Sequence, residues 1–161
     1  MWRTSREGAL TMNDQDTRGA DERKIDELLS ALTDAIRSKD ARAVVALYTD
    51  DVVAYDLPPP LRIGSGPLRD PGYMQQWFDT WDGPIESRAE DLEIVVGGDV
   101  GYAFGLRHMT GIKKAGEHVD LWFRATACVR RTTRGWKIAH VHNSVPFAMD
   151  GSGRALLDLR P

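Results

Sequence analysis

Gly135-Trp136-Lys137-Ile138-Ala139-His140-Val141-His142-Asn143-Ser144 closes a run of strands and decides how this chain is read. Most of its residues are β-branched, aromatic or small, and its Gly135 closes the turn from which the strand starts. His140, His142 and Ser144 stand at i, i+2 and i+4, so an unbroken strand presents them on one face. Trp136 and Ile138 fall on that face too, which makes it apolar at its start and polar at its end. Working backward, Thr132 to Gly135 make a hairpin turn after a long strand from about Val119 to Arg131. A turn at Lys113 to Gly116 precedes that strand. Before it come a strand from Val100 to Thr110, a Gly97-Gly98-Asp99 turn and a strand from Leu92 to Val96.

The first half of the chain reads as helical. Ile25, Leu28, Leu29, Leu32 and Ile36 recur at helical spacing, with Asp21 and Glu22 placed to favour the helix's positive end. Asp40 caps a second short helix through Val44, Leu47 and Tyr48. Val52-Val53-Ala54-Tyr55 is a short strand, ended by Asp56-Leu57 and the three prolines Pro58, Pro59 and Pro60. Asp70-Pro71 starts a third helix, on which Met74, Trp77, Phe78 and Trp81 form an apolar stripe, and Gly83-Pro84 ends it. Helices first and antiparallel strands after them indicate an α+β fold, with three helices covering one face of a curved sheet. Several strands are apolar or small on both sides, as at Ile138, Ala139 and Val141. The outer sheet face is therefore expected to pack on a second copy of the chain, giving a homodimer.

The 161 residues suit one domain, expected over residues 21–150, with a polar tail at 1–20 and a short C-terminal tail at 151–161. Met12 offers an alternative start. With 42% hydrophobic and 28% charged residues, the chain needs no disulfide staples. A net charge of -3 gives no general attraction to nucleic acid or anionic membranes, and neither is expected as a partner. No apolar run approaches the length of a bilayer span, and the basic opening segment lacks the apolar stretch of a secretory signal. The single cysteine, Cys128, excludes an internal disulfide and fits a cytoplasmic location.

Lys39-Asp40 to Val44 followed by Ala46-Leu47-Tyr48-Thr49-Asp50-Asp51 resembles the second-helix signature of the nuclear transport factor 2-like superfamily. Trp122-Phe123-Arg124-Ala125-Thr126 and the terminal strand through Val145-Pro146 resemble its SnoaL-like members, which are related to ketosteroid isomerases. The resemblance spans about residues 21–150. It implies a conical α+β roll, commonly dimeric, on a scaffold that hosts enzymes and non-enzymes alike.

In the resembling ketosteroid isomerases an Asp closely followed by Pro at the end of the first strand is the general base, which implies that role for Asp56. The other reading of Asp56 is a turn-capping carboxylate. Two departures bear on steroid chemistry. Leu32 stands where the family's tyrosine donor is expected, and Cys128 or its neighbour where its second Asp is expected; neither donates a hydrogen bond well.

Histidine's near-neutral pKa suits His140 and His142 to proton transfer, against the alternative that both merely brace the sheet end. Arg124 orients a carboxylate or enolate oxygen if it faces the pocket, and is structural if it faces a partner. Trp77, Trp81, His108, Trp122 and Ser144 complete the expected lining, with the two helix tryptophans also suited to a plain core role. A metal chelated by the His-x-His pair with Asp56 or His108 is the lesser alternative, and no metal or cofactor is assigned. Gly64-Ser65-Gly66 does not match a phosphate loop. The expected activity is an isomerase, cyclase or lyase reaction on a small hydrophobic carbonyl compound. The expected alternative is a non-catalytic ligand-binding or association domain.

Overall fold

The computed structural model describes residues 12–161. Four helices and five strands follow in order: α1 (Met12–Arg37), α2 (Ala41–Ala46), β1 (Tyr48–Tyr55), α3 (Ser65–Leu68), α4 (Pro71–Phe78), β2 (Trp81–Gly97), β3 (Val100–Lys113), β4 (His118–Thr132) and β5 (Gly135–Ser144). The strands form one sheet in the order β1-β5-β4-β3-β2. All neighbours are antiparallel except β1, which runs parallel to β5. The class is the expected α+β, a curved open sheet with helices on one face.

The caps that the sequence advertises are made. Asp40 accepts from the Ala43 amide at 2.9 Å and Asp70 from the Gly72 amide at 2.8 Å, each satisfying an orphan donor of a helix start. Several boundaries move. From Met12 onward the expected polar tail belongs to α1, while residues 1–11 lie outside the described residues. A short α3 is added before the third expected helix. Trp81 opens β2 instead of ending a helical stripe, because Asp79 caps α4 and the Thr80 hydroxyl bonds the Trp77 carbonyl at 2.7 Å. Trp81 still packs edge-on against Trp77, with ring centroids 5.8 Å apart. The C-terminal segment folds back through an Ala148–Arg154 hydrogen bond, and Arg160 reaches Asp120 on β4 at 3.3 Å.

The core is the layer between helices and sheet. Ile25, Leu28 and Leu29 of α1 lie on Ala103, Val129, Trp136 and Ile138. A second cluster joins Ala35, Ala41, Val44, Phe78, Trp81 and Ile85. A third, of Val52, Ala54, Ile63 and Leu68, closes the β1 side. Gly111 is required here, since a Cβ at that position would come within 2.8 Å of the Trp81 ring.

One irregularity governs the placement of nearly every candidate residue. Val129 pairs with Ile138, but the next pair is Cys128 with His140. Ala139 is thus an extra residue in β5, a β-bulge, and it reverses the parity of the strand beyond it. Trp136, Ile138 and Val141 pack into the core, whereas His140 and His142 turn to the outer face.

Candidate functional site

On the helix side, the inward series of β1, Val52 and Ala54, ends at Asp56. Asn143, which follows the inward Val141 by two residues, donates from Nδ2 to Asp56 Oδ1 at 2.9 Å. The same oxygen accepts from the Leu57 amide at 2.8 Å, so Asp56 makes the turn-capping bond and faces a side-chain amide as well. Both bonds hold the orientation of the carboxylate. Asp56 is exposed just past the end of β1. Below it lies Tyr48, which touches all three core clusters. Burial, and then the negative charge of Asp56, push the Tyr48 phenol far above its ordinary pKa. The phenol therefore stays a hydrogen-bond donor throughout the neutral range.

Neither Tyr48 nor Asn143 is among the residues expected from the sequence. Tyr48 reads as the last residue of a helix, yet α2 stops at Ala46 and Tyr48 begins β1. Asn143 falls on the outward parity of an unbroken strand, and only the Ala139 bulge turns it inward. Leu32, where the resemblance placed a tyrosine, packs against the core. Cys128 pairs with His140 on the outer face.

Trp77 and Trp81 lie on the helix side as core residues. The Lys113 ammonium sits 3.6 Å from the centroid of the Trp81 ring, and its pKa is lowered by burial. The buried indole N–H of Trp81 has no hydrogen-bond partner among the described residues.

The remaining candidates occupy the opposite face, which corrects the expectation of a single pocket. His140 Nδ1 lies 2.8 Å from the Val53 carbonyl oxygen, a bond that braces the sheet end. Tyr55 stands edge-on to both imidazoles, at centroid distances of 4.9 Å to His140 and 5.9 Å to His142. Ser144 pairs with Arg124, and Arg124 alternates with the inward Phe123. Trp122 stacks on His108 at 4.5 Å, and His108 Nε2 meets Asp120 at 2.6 Å. His108 is thus separated from the β5 histidines by the whole of β4. Among the described residues, no three of His, Cys, Asp and Glu come together as metal ligands.

The model of the SnoaL-like domain family matches residues 25–148. A nuclear transport factor 2-like protein of unknown function from Pseudomonas putida KT2440 superposes with a TM-score of 0.77 at 27% identity, covering 89% of this chain and 98% of that one. A conserved protein from Planctomyces limnophilus DSM 3776 gives 0.66 at 27% identity, over 78% and 96% of the two chains. A nuclear transport factor 2-like superfamily protein from Salmonella enterica serovar Typhimurium LT2 gives 0.71 at 19% identity, over 86% and 99%, a likeness of fold alone. No curated protein matches the chain. Over the matched segment, which contains every core cluster and both sheet faces, the chain belongs to the SnoaL-like domain family of the nuclear transport factor 2-like superfamily.

Proposed function

We propose that this chain carries out cofactor-free general acid–base chemistry on a small hydrophobic carbonyl compound, with Asp56 as the base. The supporting observation is Asp56 just past the end of β1, hydrogen-bonded by Asn143 and near enough to the Tyr48 phenol for its charge to raise that group's pKa. Asp56 takes a proton from the carbon beside the carbonyl, and the electron pair moves to the carbonyl oxygen to give an enolate. The Tyr48 hydroxyl donates to that oxygen, and the protonated Asp56 returns the proton to the same or a conjugated carbon. Asn143 holds the carboxylate in position and releases it to act. His140, His142 and Arg124 have no part in this scheme, because they lie across the sheet from Asp56.

The test is exchange of α-protons for deuterium in a panel of cyclic and acyclic ketones, followed by proton NMR in heavy water. The wild-type protein is expected to accelerate exchange of at least one member. Asp56→Asn is expected to lower that rate by about 10²-fold, the usual contribution of a positioned base, with His142→Gln unchanged. Equal exchange by the wild-type and Asp56→Asn proteins removes the base assignment.

A second reading concerns association, and the outer face favours it. Tyr55, Val100, Tyr102, Phe104 and Ile112 are exposed there, and Tyr102 stacks on Phe104 at 6.1 Å. Exposed aromatic residues on a sheet face are the composition of an interface core, and the occupant that fits is a second copy of the chain. Sedimentation is expected to give a dimer at micromolar concentration. Phe104→Lys is expected to weaken it by about 30-fold, as for loss of a central aromatic anchor worth about 2 kcal/mol. A wild-type protein that sediments as a monomer counts against the homodimer.

A further inference from the structure

Arg107 lies on the inward parity of β3, between the buried Ala103 and the half-buried Met109, and it has no acidic partner among the described residues. Its hydrogen bonds all go to neutral hydroxyls. Nη2 donates to Thr33 Oγ1 at 2.8 Å and to Ser87 Oγ at 3.1 Å, and Nε donates to Ser87 Oγ at 3.3 Å. Thr33 is itself fixed by donating to the Leu29 carbonyl at 3.0 Å. Nη1 has no acceptor among the described residues. By contrast Arg131, which also turns from the sheet toward the helix layer, meets the Asp21 carboxylate.

An unpaired guanidinium taken partly out of water is costly, and burial lowers the Arg107 pKa. The group borders a cavity of about 230 Å³ between α1 and β2, whose walls include Leu29, Ala89 and Leu92. Asp26 and Asp34, both exposed on α1, stand at its rim without pairing to Arg107. Arg88 also borders it, but pairs with Glu90 at 3.0 Å. The cavity includes none of Asp56, Tyr48 or Asn143.

We propose that this cavity is a second ligand site, in which Arg107 binds the carboxylate of a small monoanion and the apolar walls take its short aliphatic body. The free Nη1 edge offers the donors that a carboxylate requires, and the hydroxyls of Thr33 and Ser87 hold the guanidinium plane while leaving its charge uncompensated. The cavity is an open groove of about 230 Å³, which suits a compact ligand. The rim carboxylates select for a single negative charge, because a second anionic group would sit among Asp26 and Asp34 within about one Debye length of 8–10 Å.

The test is an NMR titration of the ¹⁵N-labelled protein with sodium butyrate, butyramide and disodium succinate at constant ionic strength. Butyrate is expected to shift the amides of Leu29, Thr33, Ala89 and Leu92 saturably. Butyramide, which matches it in shape without charge, is expected to bind at least about tenfold more weakly, and succinate no more tightly than butyrate. Arg107→Gln is expected to abolish the difference between butyrate and butyramide. Asp34→Asn, a surface change, is expected to strengthen butyrate binding by about twofold. Equal shifts with butyrate and butyramide overturn the proposal, as does retention of butyrate binding by Arg107→Gln. If Arg107→Gln does not fold, the wild-type comparison with butyramide decides alone.

Discussion

Deletion of Ala139 is expected to cost at least about 4 kcal/mol of folding stability, whereas Ala139→Ser costs under about 1 kcal/mol. The bulge lets one strand serve both surfaces. Before it, Trp136 and Ile138 fill the core; after it, Val141 does. Remove the extra residue and one half must turn over. In one outcome Trp136 and Ile138 leave the core, each a loss of the size seen for truncating a large buried side chain, about 3 kcal/mol. In the other, His140 and His142 enter apolar surroundings while Val141 is exposed, which strands polar nitrogens and breaks the bond from His140 to Val53. Neither outcome can be relieved by local repacking, because the pairings on both sides of β5 fix its register. Urea titration measures the difference. A deletion variant that unfolds at the wild-type midpoint shows that the bulge does not set the parity.

This residue also marks where sequence reading reaches its limit. Asp40, Asp70-Pro71 and the Gly-containing hairpins are local signals, and local chemistry decides the elements they bound. Parity along β5 is not local. Nothing in Lys137-Ile138-Ala139-His140 announces an extra residue, since the alternation reads equally well with or without it, and one unseen step carries His140, His142 and Ser144 to the other side of the sheet. Arg124 and Trp122 were open in the same way: a strand with apolar or small residues on both faces gives no indication of which face is covered. Tyr48 was lost to a different competition, between continuing a helix and starting a strand two residues after α2 ends. Asp56 is legible as a strand end, because the proline run that begins two residues later can continue no ladder, wherever the side chain points. The two-sided apolar character of the strands, by contrast, is legible in the sequence, and the outer face carries Tyr55, Tyr102 and Phe104 exposed.

The second large effect is expected at Asp21, whose replacement by Ala should cost about 2–3 kcal/mol at neutral pH. From the sequence this residue stands near a helix start and favours its dipole. In the structure α1 begins at Met12, so Asp21 lies mid-helix with only 4% of its surface exposed. Its charge is matched from across the fold: Arg131 Nη1 donates at 3.1 Å, Nη2 bonds the other oxygen, and Trp136 Nε1 donates at 3.4 Å. The Arg131 guanidinium also lies over the Trp136 ring at 4.5 Å, so one carboxylate ties α1 to β4 and β5 together. Removing it leaves a guanidinium and an indole N–H short of an acceptor. Arg131 is partly exposed and keeps Asp99 at 3.1 Å, which moves the cost below the upper end for a fully buried pair. The pH dependence has a definite sign. The hydrogen bond from Arg131 outweighs desolvation and holds the native carboxyl below its ordinary value of 3.8. A carboxyl depressed in the folded state contributes fully above the unfolded pKa and loses its contribution as pH falls through the folded one. The stability gap between the wild-type and Asp21→Ala proteins should therefore be constant from neutral pH down to about pH 4–5 and shrink below it. Urea midpoints at pH 7, 5, 4 and 3 decide the matter: a gap under about 1 kcal/mol at pH 7 removes the pair as a tie between helix and sheet, and a gap that grows as the solution is acidified contradicts the sign.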